Sequence, residues 1–218
     1  MAAKEVTIGD GSQLLMRPIE ADDKEALAAG FSRLSEESRY RRFFAPLSRL
    51  NDTDLRYLTE VDHHNHEAII AFDPTSGEAV GVARFVRSSD PTAAEVAVTV
   101  IDDWQGRGVA TGLLERLVER AREEEVERFL ALILEENDAA IELFRALSAD
   151  DPEPRRSASG HIELKIELPE GGSVSGTMLG RALRTAARGG VEINPWRLLK
   201  RRVHETAEHT LAEDDPGE

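Results

Sequence analysis

Three glycines, Gly106, Gly108 and Gly112, fall within seven residues of D-D-W-Q-G-R-G-V-A-T-G-L-L (102–114). They lie between a strand-like run and a helix-like run. A glycine turn that opens a helix suits a phosphate group. The first four N–H groups of a helix lack intrahelical partners, and its dipole favours an anion there. Small residues let that anion approach the backbone. On these grounds three ligands stay open: a dinucleotide, another phosphate-bearing coenzyme, or none. The G-x-G-x-x-x-G spacing is a variant of the dinucleotide fingerprint, with Glu135 and Glu136 ending the next strand where a ribose would sit. Yet residues 102–105 separate the preceding strand from the first glycine. The loop also follows three meander-like strands instead of opening a βαβ unit. Glycines are common at strand–helix joints that hold no ligand.

Glu95 is a second candidate for chemistry. Along A-E-V-A-V-T-V-I (94–101), alternation sets Ala93, Glu95, Ala97 and Thr99 on one face and Val96, Val98 and Val100 on the other. The valines must pack inward, so Glu95 faces the opposite side between small residues. It is either a base with room for a substrate or a solvated side chain on a half-exposed strand. D-H-H-N-H (62–66) invites a metal reading. However, His63 and His64 would diverge on an extended chain, and no i, i+4 helical pair supports them. A turn with exposed imidazoles and no metal is expected. In S-R-Y-R-R-F-F (38–44), Arg41 and Arg42 would line a substrate entry, or the helix buries Tyr40, Phe43 and Phe44 and leaves its arginines in water.

These residues need elements to position them. L-L-M-R-P-I (14–19) reads as a first strand and 20–34 as a helix with an acidic start. Ser35 caps a second short helix, and Asn51 or Thr53 a third. Strands follow over 67–73, 79–87 and 94–101, separated by turn signals. An amphipathic helix over 108–127, a buried strand over 128–137, a helix over 138–147 and an alternating strand over 161–168 complete the order. Such an order gives a mixed sheet, not a regular βαβα array. Two further helices are expected over 177–190 and 195–215. Their leucines would pack on the domain or on a second subunit of a homodimer.

The residues Q-G-R-G-V-A (105–110) fit the pattern Q/R-x-x-G-x-G/A, with Ala110 last. Together with the strand before it, the helix after it and N-D-A-A-I-E-L-F (137–144), this stretch resembles the GNAT superfamily of N-acetyltransferases. The likeness is greatest to the acetyltransferase domain of bacterial protein lysine acetyltransferases. It covers residues 12 to 169. The resemblance implies an α+β fold: a mixed, mostly antiparallel sheet flanked by helices. That domain would occupy 1–169, with a C-terminal helical extension over 170–218.

It implies acetyl-CoA as co-substrate and transfer of the acetyl group to an amine in a ternary complex. Gln105, Gly106, Arg107, Gly108, Val109, Ala110 and Thr111 would hold the pyrophosphate. Val98 and Val100 would pair with the pantetheine and supply an N–H to the oxyanion. Asn137 and Phe144 would border the same arm, and Glu95 would be the general base. The acceptor would be a protein lysine or a small amine. Phe144 stands where many relatives carry a Tyr that protonates the departing thiolate, and A-D-D-P-E-P-R-R replaces their G-F. A non-catalytic module that binds acyl-CoA is therefore the alternative.

Composition bounds the rest. The chain has 218 residues, 40% of them apolar, and no cysteine, which excludes disulfides, thiolate catalysis and Cys-based zinc sites. A formal charge of −15 argues against general nucleic-acid binding. No run reaches the roughly 18–20 apolar residues of a membrane span. M-A-A-K-E-V-T-I-G-D-G-S lacks the apolar core of a secretory signal, so a cytoplasmic location is expected.

Overall fold

The computed structural model of this chain describes residues 2–150, 152, 154–156 and 160–169. The two helices expected beyond 176, and with them the extension over 170–218, lie outside the described residues.

Eight strands form one sheet. In chain order the elements are β1 (Lys4–Thr7), β2 (Gln13–Pro18), α1 (Lys24–Ser32), α2 (Glu36–Phe43), α3 (Asp52–Thr59), β3 (His66–Phe72), β4 (Ala79–Arg87), β5 (Ala93–Val100), α4 (Val109–Glu123), β6 (Arg128–Leu134), α5 (Asp138–Leu147), β7 (Arg155–Arg156) and β8 (His161–Glu167). The sheet order is β1-β2-β3-β4-β5-β6-β8-β7. Every pairing is antiparallel except that of β5 with β6. This is the mixed, mostly antiparallel sheet expected from the resemblance.

Local chemistry explains most boundaries. Ser35 accepts the Ser38 N–H at the start of α2, and Asn51 accepts those of Thr53 and Asp54 at the start of α3. Two strands differ from the sequence reading. β1 and β7 were not expected, because each is short and offers no alternating apolar pattern. β1 exists because a tight turn returns it to β2: Gly11 takes φ +89° and Asp10 accepts the Ser12 N–H.

The sheet has two different faces. On one, Ile69, Ala83, Phe85, Val96, Val98 and Val100 pack with Leu113, Leu114, Leu117 and Val118 of α4. The valine face of β5 therefore packs inward, as alternation requires. On the other lie Ala68, Ile70, Val82, Arg84, Glu95, Ala97 and Thr99, with Ile19, Ala26 and Val61 beside Ala68 and Ile70. α5 adds Leu143, Phe144 and Leu147 to the main core beside Phe129, Ile133, Leu164 and Ile166.

One ion pair crosses the apolar side. Glu67 on β3 is 1% exposed and accepts from Arg120 Nε of α4 at 2.9 Å, while His63 Nδ1 lies 2.8 Å from its other oxygen. Arg120 also bonds Glu124 at 2.8 Å, the His63 carbonyl at 2.9 Å, and Glu123. Burial pushes the Arg120 guanidinium down, but its three carboxylate partners outweigh that and raise it above its ordinary value. Truncating Arg120 leaves the Glu67 carboxylate buried with only the His63 ring and the Ala68 N–H beside it. Arg120→Ala is expected to cost about 3–5 kcal/mol in urea unfolding, and adding Glu67→Leu should recover most of the loss. A change below about 1 kcal/mol in the single variant would refute the role given to this pair.

Candidate active site

β5 and β6 run parallel but pair only over Ala93, Ala94 and Glu95 with Arg128, Phe129 and Leu130. β6 continues to Leu134 against β8, and β5 continues to Val100 against β4. Beyond Glu95 the two strands share no ladder, so a wedge opens between them. The Ile101 N–H donates to Val80 O at 3.0 Å, and Thr92 O accepts from Glu127 and Arg128. Odd-numbered residues of β5 thus turn their backbone groups to β4, and even-numbered ones turn theirs to the β6 side. The N–H groups of Val98 and Val100 consequently face the wedge. Glu95 sits at its apex, half-buried, on the face away from α4.

The glycine loop closes the wide end. A 3-10 turn over Asp102–Trp104 leads into Gly106 (φ +71°) and Gly108 (φ +96°). Gly108 is the N-cap of α4 and has no side chain to offer, and the first turn contains no acidic residue. The three other capped helix starts differ, with Ser35, Asn51 and Asn137 each satisfying an N–H. α4, 15 residues long, therefore presents its positive end to whatever lies beyond Val109 and Ala110. That is the electrostatic requirement for holding a pyrophosphate.

Side chains of the loop mostly brace it. Gln105 Nε2 donates to Val100 O and Asp102 Oδ1, both at 3.1 Å, and to Ser38 Oγ at 3.3 Å, tying loop, strand end and α2 together. Arg107 bonds Asp10 at 2.6 Å and Ser12 Oγ at 2.8 Å, and its guanidinium carbon lies 3.8 Å from the Trp104 ring centroid. Burial pushes the Asp10 carboxyl up, but Arg107 and the Ser12 donors hold it below its usual range. The sequence reading missed this β1–β2 brace, whose partners Asp10 and Arg107 are 97 positions apart. Val109, Ala110 and Thr111 form the first turn of α4 with their side chains buried. Gly112 belongs to packing: a Cβ there would meet Met16 Cε at 3.0 Å.

Asn137 is 3% exposed and caps α5 through its side-chain oxygen, at 3.2 Å from the Ala140 nitrogen. Phe144 is fully buried in the core. The structure therefore gives Asn137 a capping contact and Phe144 a packing one. The three histidines go to three places: His63 to Glu67, His64 to Glu124 and His66 to Arg84. Among the described residues no three groups gather to hold a metal. Asp62 holds their turn together. Burial pushes its carboxyl up, but N–H donors of His66, His64 and Asn65 keep it far below its usual range.

A cavity lies across the sheet from α4, bounded by α1, α2 and α3. Phe31, Phe43, Val82 and Thr99 are among its walls, with Arg42 and Arg84. The S-R-Y-R-R-F-F helix divides differently from both readings of the sequence. Arg42 is 3% exposed and lines the cavity, Arg41 pairs with Glu37 outside, and Tyr40 is 48% exposed. Phe44 ends the helix in the left-handed region at φ +50°.

Residues 30–148 match the family model described as "Acetyltransferase (GNAT) family". That is more than half of the chain, and the wedge and loop lie inside it. The chain belongs to the GNAT family. It is 35% identical over 145 residues to "Acetyltransferase Pat" of Mycolicibacterium smegmatis, across 66% of this chain and 43% of that protein. It thus spans less than half of that relative. The crystal structure of the GNAT domain of S. lividans PAT superposes with TM-score 0.69 at 34% identity, covering 76% of this chain and 97% of that one. The GNAT fold is also that of yncA from Salmonella typhimurium, solved with acetyl-CoA, at TM-score 0.55 and 22% identity over 72% of this chain and 95% of that one.

The two helix-start glycines should separate experimentally. At Gly108 a Cβ would stand 2.7 Å from Gly9 N at positive φ, so Gly108→Ala is expected to cost about 1–3 kcal/mol. At Gly112 only the flexible end of Met16 must move, and Gly112→Ala should cost less than about 1 kcal/mol, helped by helix propensity. Thermal or urea unfolding of the pair checks this, and equal losses would contradict the placement of the loop against β1–β2.

Proposed function

We propose that this GNAT chain transfers the acetyl group of acetyl-CoA to a primary amine by direct attack in a ternary complex. The observation that carries the reading is the conjunction at one wedge. Three features support it: the β6-side edge of β5 at Val98 and Val100, the start of α4 without a side-chain cap, and Glu95 at the last position where β5 pairs with β6. The family makes acetyl-CoA the co-substrate. The residues present fit it, because a polyanion meets an unneutralised helix start and an extended arm meets an unpaired strand edge.

In this reading the backbone N–H groups of Gly108, Val109, Ala110 and Thr111 hold the pyrophosphate, with Gln105, Gly106 and Arg107 shaping the turn. Val98 and Val100 align the pantetheine, and an N–H of that stretch donates to the thioester oxygen as negative charge develops there. Asn137 and Phe144 act as the wall beside that arm. Glu95 removes a proton from the acceptor ammonium, directly or through one water, so that the neutral amine attacks. No hydroxyl stands at Phe144, so the departing thiolate leaves as such or takes a proton from water. Resemblance to protein lysine acetyltransferases makes a protein lysine an acceptor to test first, with small amines beside it.

The test separates chemistry from binding. Glu95→Gln should lower kcat by about 10²–10⁴-fold while calorimetry finds the acetyl-CoA Kd within about twofold of wild type. Mass spectrometry of an extract given labelled acetyl-CoA would locate the label on lysines or on small amines. Coenzyme binding without any transfer would overturn the enzyme reading in favour of an acyl-CoA-binding module, the reading that the buried Phe144 favours.

A further inference from the structure

The cavity on the Glu95 side of the sheet contains an unusual charge. Among the described residues that line it, only Arg42 and Arg84 are charged, and none is acidic. Arg84 is 1% exposed. Its Nη2 donates to Leu58 O at 3.1 Å and its Nη1 lies 3.0 Å from His66 Nε2. A guanidinium only donates, so His66 accepts at Nε2 and carries its proton on Nδ1 as a neutral ring. Among the described residues both partners of this buried cation are therefore neutral, and its Nε has none.

Two other half-buried arginines do meet carboxylates: Arg17 pairs with Asp23, and Arg120 with Glu67 and Glu124. Burial pushes the Arg84 guanidinium down to about 10, with Tyr57 opposing. Retaining an unmatched charge in an apolar cavity is costly unless an anion joins it.

Register ties the cavity to the chemistry. Arg84 stands opposite Ala97, and Glu95 stands opposite Val86, on the same face. Diagonal neighbours of this kind are about 7–8 Å apart at the backbone. An acceptor reaching from one to the other meets a cation at one end and a carboxylate at the other. An ammonium is repelled by Arg84 and attracted by Glu95, and the reverse holds for a carboxylate.

We infer that the cavity takes a carboxylate carried by the acceptor, pairing it with Arg84 and directing the acceptor's amine toward Glu95. This class has two sources: the α-carboxylate of a free amino acid, or an acidic side chain beside a target lysine. The orientation of the amine rests on the acetyl-transfer reading, whereas binding of the carboxylate does not.

The first experiment is therefore free of catalysis. Wild-type protein is titrated with butyrate, butyramide and butylamine, following the aromatic resonances of Phe31 and Phe43 by NMR. Butyrate should bind at least tenfold more tightly than the other two, and Arg84→Gln should remove that preference while Arg84→Lys keeps part of it. Equal affinities in wild type would overturn the proposal without reference to any variant's folding. The second experiment compares acceptors that differ by one group: amino acids against their amides, and lysine peptides with Glu or Gln beside the lysine. A KM at least tenfold lower for the carboxylate member of one pair supports the proposal and names the source. Transfer without preference in either pair would overturn it and leave acetyl transfer standing. Selective butyrate binding with no acetylated product would support the cavity assignment and sink the acetyl-transfer reading instead.

Discussion

β5 and β6 are parallel, adjacent in the sheet and bonded through only three residue pairs, and the positions of both candidate sites follow from that limit. A parallel pair needs a crossover, and α4 supplies it, packed over the apolar face of β3 to β5. Because the strands part after Glu95, the edge of β5 keeps backbone donors that a continuous sheet would have consumed. Because the crossover helix starts at the mouth of that gap, its positive end faces the same space. An extended, anionic-ended ligand is what such a wedge is built to receive.

The wedge stays open only if its rim is held from outside the ladder. Gln105 reaches the end of β5 and the start of α2, and Arg107 reaches the β1–β2 turn. Gly108 is confined from behind by Gly9, so its missing Cβ serves contact within the protein as much as approach by a ligand. The loop residues thus divide by chemistry. The side chains of Gln105 and Arg107 are spent as struts, and Arg107 O and the Gln105 N–H are tied back to Asp10 and Asp102, which leaves the first N–H groups of α4 as the donors without an intrahelical partner. Such a division favours preorganisation, since donors already fixed need not reorient as charge develops.

Much of this was legible in the sequence where a period was long enough to read. β3, β4, β5 and α4 have clear alternation or helical spacing, and their order placed the loop and Glu95. What escaped was set by partners far along the chain or by single residues. β1 carries four residues and one partly buried Val6, too little for a pattern, yet it braces the loop. Gly112 looked like part of a phosphate fingerprint because spacing cannot distinguish a ligand from the side chain of Met16. Tyr40 and Arg42 exchanged their expected environments, since hydropathy ranks a tyrosine inward and an arginine outward. Arg42 instead lies on the cavity wall, with Phe43 under its guanidinium.

Arg84 shows why buried charge is the least readable feature. In A-V-G-V-A-R-F-V-R the arginine falls in phase with Val82 and Val86 on one face, so alternation sets a charge among valines and gives no side for it. The first three helices cover that face, so water is replaced by apolar walls, one helix carbonyl and one neutral imidazole. Removing the charge would relieve the desolvation penalty, and a leucine would satisfy the packing. The bond to Leu58 O ties α3 to the sheet, but a neutral donor could do that as well. The fold alone gives no reason for a full positive charge at this position. A reason appears only when the face is considered with Glu95, whose place in the register is diagonal to that of Arg84 beside the open strand edge.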